Sequence, residues 1–299
     1  MNPAATRTLM NQLIAHSLGV PFVAGKIFYV GPGGLDAVKS GRQVERPFAT
    51  IDYALSYCTA AAGDLIVLLP GHTETYSAAA GLVIDKSGVT IVGVGNGALR
   101  PRLILGTVAT TDIDIDAANV TIENVDLVAD FADIAVCFDV NATDFTIRGC
   151  RFLEPTADKN FLVCVQDAAA AGSSRITIED CVANCPDAAN THFVNFAGTG
   201  DGHIVRRNQL IGDWGTMAIG GAGVVTNVIC THNFIANKAS SNDSCINFAA
   251  TATGICMHNH ACGAAAQANG ITATAMAISQ NFYGVISEDL SAILDPIAT

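Results

Sequence analysis

The chain is expected to be all-β, a single-stranded right-handed parallel β-helix wound as a solenoid with a short N-terminal capping helix. Three observations carry this expectation: a repeat of about 27 residues, two short strand-like runs per repeat without long helical stretches between them, and a column of asparagines at one fixed position.

The repeat is read from eight segments that align without gaps: Ile91-Val-Gly-Val94-Gly, Ile122-Glu-Asn-Val125-Asp-Leu, Ile147-Arg-Gly-Cys150-Arg-Phe, Ile178-Glu-Asp-Cys181-Val-Ala, Val205-Arg-Arg-Asn208-Gln-Leu, Cys230-Thr-His-Asn233-Phe-Ile, Cys256-Met-His-Asn259-His-Ala and Ile278-Ser-Gln-Asn281-Phe-Tyr. Steps between fourth positions run from 22 to 31 residues, as insertions in loops between fixed strands would produce. Upstream of each lies a second run: Leu82 to Ile84, Ile113 to Ile115, Val136 to Val140, Leu162 to Val165, Phe193 to Phe196, Met217 to Ile219, Cys245 to Phe248 and Ile271 to Thr274. Several of these alternate apolar and polar residues with period two.

The fourth position reads Val94, Val125, Cys150, Cys181, then Asn208, Asn233, Asn259, Asn281. Stacked about 4.8 Å apart, such asparagines form an amide ladder along the axis, and Asn also suits the left-handed backbone of a sharp turn. Chance turn asparagines are the alternative, and four consecutive matches in register weigh against it.

Composition sets bounds. The 299 residues carry 15 Lys plus Arg against 27 Asp plus Glu, a net charge of −12, with 14% charged and 50% hydrophobic residues. The paired arginines and acidic balance argue against a nucleic-acid groove. The longest strongly apolar run, Leu65 to Leu69, is far short of a membrane-spanning helix, and the first 25 residues do not read as a secretory signal. The ten cysteines form no CxxC and sit mostly in apolar runs, which reads as buried thiols in a chain assembled in a reducing cytosol.

The N-terminal stretch resembles that of right-handed parallel β-helix proteins of the pectate-lyase-like class. The matching residues are Phe28-Tyr29-Val30-Gly31, Pro47-Phe48-Ala49-Thr50-Ile51 and Gly63-Asp64-Leu65-Ile66-Val67-Leu68. Thr50 to Cys58 is an amphipathic helix candidate with Ile51, Ala54, Leu55 and Cys58 on one face, placed to plug the open end of the solenoid. Further on, Pro70-Gly71-His72-Thr73-Glu74, Gly88-Val89-Thr90-Ile91-Val92-Gly93-Val94-Gly95-Asn96-Gly97 and Ala117-Ala118-Asn119-Val120-Thr121-Ile122 are similar to a family of phage-encoded β-helix proteins, as is the ending Asp289 to Pro296. The resemblance covers about residues 26 to 296 and is strongest over 27 to 127. It implies a non-enzymatic virion protein assembled in the host cytoplasm: a homotrimeric capsid decoration or cement protein contacting the major capsid protein or another virion component. Neither nucleic acid nor membrane is an expected partner. The alternative is a carbohydrate-binding or polysaccharide-degrading spike, with a glycan as ligand.

The expected layout is an N-terminal arm (1–25), a β-helix (26–286) whose cap spans 26–70, and a C-terminal tail (287–299). In the arm, Leu9, Leu13, Ile14 and Leu18 form one face of a short amphipathic helix, read as an assembly arm or an end cap. Alanine-rich, uncharged stretches at 168–171, 249–253 and 261–266 are the expected contact surfaces.

No catalytic residue and no required cofactor is assigned. Asp112, Asp114 and Asp116 share one strand face and are candidate oxygen ligands for Ca²⁺, although a half-exposed strand shows the same pattern. His232 and His258, at matching positions one coil apart with His260 beside them, are the candidate nitrogen ligands for zinc. Lyase-type Arg-x-Pro-x-x-Arg and polygalacturonase-type Asp-Asp and Gly-His-Gly stretches are absent. Glycosidases need two carboxylates at a set separation, which leaves Glu123, Asp126, Glu154, Glu179 and Asp180 as candidates, solvated acidic faces being the commoner explanation. Trp214 is either a sugar platform or a loop anchor.

Overall fold

A computed structural model of the chain describes residues 25–156, 158–167, 173–239, 244–263, 270–285 and 295–296. The arm residues Leu9, Leu13, Ile14 and Leu18, the alanine run at 168–171 and most of the C-terminal tail lie outside the described residues.

Each turn of chain lays down one strand in each of three sheets. A ten-stranded first sheet begins with Ile27–Val30, Leu65–Leu68 and Thr90–Gly93, and a second of ten strands begins with Thr73–Tyr76 and Arg102–Gly106. The third, of eight strands, begins with Leu82–Ile84 and Ile113–Ile115, so the described residues complete eight coils and start a ninth. Neighbouring coils pair in parallel and in register: Ile147 lies between Ile122 and Ile178, and Phe138 between Ile113 and Val165. This is the parallel β-helix that the repeat predicts. From the third coil on, each aligned segment turns out to run from a first-sheet strand through a corner into a second-sheet strand, rather than to hold one strand.

Period two sends alternate residues inward, where they stack as columns. The second sheet contributes Leu103, Leu127, Phe152, Ala183, Leu210, Ile235, Ala261 and Tyr283, all 2% exposed or less. Burying each large apolar member is worth about 1.5–3 kcal/mol. Ala261, expected at a contact surface, is therefore core, because it occupies an inward position of the strand His260–Gly263.

From the third coil on, the corner from first to second sheet takes two residues. The first has a left-handed backbone: Asn124, Gly149, Asp180, Arg207, His232, His258 and Gln280, with φ between 53° and 62°. The second points inward: Val125, Cys150, Cys181, Asn208, Asn233, Asn259 and Asn281, none above 1% exposed. The left-handed position is thus the residue before each ladder asparagine, not the asparagine itself. Its side chain leaves the cylinder, so that site tolerates many residues, while the inward site selects for the amide.

The ladder runs unbroken. Asn208 Nδ2 donates to Asn233 Oδ1, Asn233 Nδ2 to Asn259 Oδ1, and Asn259 Nδ2 to Asn281 Oδ1, each at 3.0 Å. Each Oδ1 also accepts the backbone N–H of the preceding coil's corner residue, Cys181 for Asn208, at 2.9–3.1 Å. Each Nδ2 gives its second hydrogen to a first-sheet carbonyl, of Ile178, Val205, Cys230 or Cys256. Cys150 and Cys181 continue the column with weak thiol donors, their Sγ atoms lying 3.9 Å from the carbonyls of Ile122 and Ile147.

The helix Ile51–Tyr57 closes the N-terminal end, with Thr50 as its N-cap and Ile51, Ala54 and Leu55 buried. Glu74, in the second sheet, reaches across to accept the Ile51 N–H at 3.0 and 3.3 Å, and its carboxylate also meets His72 Nε2 at 3.2 Å. The Pro70-Gly71-His72-Thr73-Glu74 motif is thereby a clamp fastening the cap to the first coil. At the other end Asp295–Pro296 pairs antiparallel with Phe282–Tyr283, over the edge of the second sheet.

Loop length varies at the other two corners. The corner from second to third sheet holds Asn160 and Asn190, which the sequence reading did not single out, around Glu154. Asn160 Nδ2 donates to Asn190 Oδ1 at 3.2 Å, and Asn190 Nδ2 donates to Glu154 Oε2 and the Cys185 carbonyl, both at 3.0 Å. One coil further on, Trp214 is fully buried, its backbone bracketed by both amide atoms of Asn237. It is a loop anchor, inaccessible as a sugar platform. A Cβ on Gly212 would lie 2.6 Å from its ring, so that position must be glycine.

Two outcomes are expected. Asn233→Ala strands two buried donors of Asn208, at about 1–3 kcal/mol each, so its urea midpoint should fall well below that of an exposed control such as Gln209→Ala. All ten cysteines are free, nine are buried and Cys262 is half-buried, and burial pushes the thiols of Cys58, Cys150 and Cys245 up to about 12. Ellman's reagent at pH 8 should therefore find at most one reactive thiol in the folded chain and ten after denaturation.

Candidate functional site

The outer faces of the sheets carry the groups open to chemistry, and their character changes along the axis. On the first sheet one outward column reads Thr90, Thr121, Thr146, Thr177, Ile204, Ile229, Ile255, Ala277. Beside it runs Val92, Glu123, Arg148, Glu179, Arg206, Thr231, Met257, Ser279. In the middle coils the second column is an ion-pair ladder: Glu123 to Arg148 at 2.7 Å, Arg148 to Glu179 at 3.7 Å, and Glu179 to Arg206 at 2.7 Å and Arg207 at 2.9 Å. Arg207 also pairs with Asp180 at 2.7 Å, and hydrogen bonding to that guanidinium holds the Asp180 carboxyl below its usual range. On the second sheet Asp126, fully buried, takes both arms of Arg151 at 2.6–2.7 Å, with Arg100 and Arg102 at 3.7 and 3.8 Å.

Four of the five glycosidase candidates are therefore held by arginines, which occupy the oxygens a substrate would need. The fifth, Glu154, is 5% exposed and bonded to the backbone of Phe161 as well as to Asn190. Burial pushes its carboxyl up to about 7, but its partners are structural and it does not face the other four.

Asp112, Asp114 and Asp116 share the outward face of one strand, as expected, and the register adds Asp139 of the next coil directly beside Asp114. Burial, then the charges of Asp112, Asp116 and Asp139, push the Asp114 carboxyl up to about 6. Asp112 and Asp139 are raised as well, burial first and like charge second. Outward neighbours on one strand sit about 7 Å apart, too far for three of them to chelate one ion, and no group of three or more His, Cys, Asp or Glu among the described residues is placed to hold a metal. The cluster is a concentration of like charge.

His232 and His258 do meet. Their rings stack at 4.9 Å with planes 25° apart. Nitrogen lone pairs lie in the ring plane, so two stacked rings aim theirs side by side rather than at a common ion. His260 stacks instead on Phe282, at 5.0 Å. With Ile229 and Ile255, each 38% exposed, and Phe234, 47% exposed, these residues make a partly apolar ribbon, free of Asp, Glu, Lys and Arg, across the corner in the last coils.

The like-charge cluster has a readable consequence. A carboxyl raised above its unfolded value weakens the fold when ionised, so its penalty is absent below about pH 3.8 and fully present above about pH 6. Asp114→Asn is expected to raise the thermal midpoint at pH 7.5, with the gain shrinking toward zero at pH 4. A gain independent of pH would show that like-charge crowding is not its source.

No family model and no curated protein matches the chain. Among solved structures it is similar to a rhamnogalacturonan lyase, at 14% identity and a TM-score of 0.47, covering 80% of this chain and 68% of that one. It is also similar to pectate lyase Pel9A, at 13% identity and a TM-score of 0.44, covering 91% of this chain and 74% of that one. The likeness is to the winding of the chain, at an identity too low to carry a reaction, and the parallel β-helix stands on the strand register itself.

Proposed function

We propose that the chain is a non-enzymatic virion structural protein, a homotrimeric capsid decoration or cement protein. The carrying observation is the contrast along the rod: middle coils whose outer carboxylates are tied up by arginines, and last coils whose outward strand positions hold no Asp, Glu, Lys or Arg, with Ile229, Phe234 and Ile255 exposed. Uncharged ribbons with large exposed side chains are what subunit contacts use. The sequence motifs similar to phage-encoded β-helix proteins supply the virion setting. A glycan-acting spike is disfavoured by the burial of Trp214 and the arginine-held carboxylates.

Light scattering on the purified chain is expected to give three times the mass of one chain, and Phe234→Asp combined with Ile255→Asp to give a folded monomer. The protein should also be extractable from purified virions. A wild-type monomer absent from virions contradicts the proposal; release of sugar products would mark a depolymerase, and binding of a glycan without product an adhesive module.

A further inference from the structure

Three arginines converge on one carboxylate in the second sheet. The outward column there reads Thr73, Arg102, Asp126, Arg151, Val182, so Arg102 and Arg151 stand one coil, about 4.8 Å, to either side of Asp126. Arg100 enters from the loop two residues before Arg102. Asp126 is fully buried beneath them, and Arg151 alone satisfies both of its oxygens, Nε to Oδ1 at 2.7 Å and Nη2 to Oδ2 at 2.6 Å. The Nε atoms of Arg100 and Arg102 stop at 3.7 and 3.8 Å, beyond hydrogen-bond reach.

Both of these guanidinium groups keep donors to spare. Arg100 gives Nη1 to the Gly149 carbonyl at 2.6 Å, and its Nε has no hydrogen-bond partner. The side chain of Arg102 is 47% exposed, and among the described residues Asp126 is its one ion-pair contact. Three positive charges thus face one negative, a surplus of two on a chain whose net charge is −12. By contrast Arg148, Arg175, Arg206 and Arg207 each lie within 2.9 Å of a carboxylate oxygen. Nothing beside the cluster completes its pairing. The neighbouring outward column reads Thr75, Ile104, Val128, Leu153, Asn184, without charge, and across the corner Glu123 is taken by Arg148.

We propose that Arg100, Arg102 and Arg151 form a binding site for one doubly charged tetrahedral oxyanion, a phosphate or sulfate group, free or carried as an ester. Arg151 stays on Asp126 and adds its charge, while Arg100 and Arg102 supply the donors that meet the ligand. Planar guanidinium forks bind such groups through paired N–H donors. Two surplus positive charges match a dianion, where a single carboxylate would leave one over. The acidic balance of the rest of the chain repels an extended polyanion, which leaves one isolated group as the ligand. The site occupies the second to fourth coils, away from the ribbon of the last coils, and it does not rest on the virion assignment.

The test is isothermal titration of inorganic sulfate into the full chain at pH 7.5 and fixed ionic strength. One saturable site per chain is expected. Arg102→Gln should weaken it by about tenfold or more with an unchanged thermal midpoint in chloride, and Arg207→Gln, which removes an arginine already paired, should leave it unchanged. Arg102→Lys carries the same comparison should Arg102→Gln not fold, since it keeps the charge and loses the fork. Competition by O-phosphoserine assigns the site to an esterified group, and competition by inorganic phosphate alone to the free ion; either supports the proposal. No saturable sulfate binding, the same loss in Arg207→Gln, full binding in the Arg102 variants, or acetate bound as tightly as sulfate would overturn it.

Discussion

From the third coil on, each coil must turn sharply from the first sheet to the second within two residues, and the rest of the structure depends on how that corner is held. The first of the two residues has a left-handed backbone, which costs a residue with a Cβ about 1–2 kcal/mol unless it is Asn or Asp. In the third to fifth coils the corner uses tolerant residues, Asn124, Gly149 and Asp180, over Val125, Cys150 and Cys181. In the later coils it uses Arg207, His232, His258 and Gln280, which have no such tolerance. Those are the coils where the inward residue is asparagine, with two hydrogen bonds at Nδ2 from Asn208 to Asn259 and, from Asn233 on, two at the Oδ1 toward the preceding coil. The amide ladder offsets the strain, and in doing so frees the outward corner position to carry rings and long side chains. The stacked pair His232 and His258 sits on the surface because Asn233 and Asn259 hold the backbone beneath it.

How far the sequence could be read follows from which signals are local. Strands of the third sheet were legible because each is an isolated apolar run; Leu82 to Ile84 and Ile113 to Ile115 match to the residue. The ladder was legible because its members occupy one repeat position. Two-strand segments were misread as single strands because only two residues separate the first sheet from the second, too few to break the period-two pattern. The Glu74 clamp and the Asn160–Asn190 contact join residues 23 and 30 apart in sequence without a repeating motif, so only the folded register reveals them. Asp139 was missed for a related reason: it lies in a different run from Asp112, Asp114 and Asp116, and only the in-register stacking of the third sheet brings it beside Asp114. Ala261 was placed outside because its small neighbours suggested a loop, when its burial is decided by which face of the coil it occupies; Trp214, left between a platform and a loop anchor, is the anchor for the same reason.

The low charge content follows from the same geometry. Three inward columns per turn absorb the aliphatic and aromatic residues, thiols fill the narrower places, and much of the charge that remains is spent in axial ion pairs such as Glu123 to Arg148. Axial stacking brings each outward side chain close to its equivalents in neighbouring coils. Opposite charges then make a ladder, as from Glu123 to Arg206, while like charges make a strained patch, as at Asp114 and Asp139. Uncharged columns make a ribbon suited to another surface. The three outer chemistries of this rod are thus one stacking rule applied to three sets of side chains.

The most direct test of a structural role is a reconstruction by electron cryomicroscopy of particles carrying the protein. The result expected is three copies of the rod about one axis, with Ile229, Phe234 and Ile255 buried between copies and the rods seated on the particle surface. An isolated rod on the particle with that ribbon facing solvent, or with a saccharide lying along it, would contradict the account.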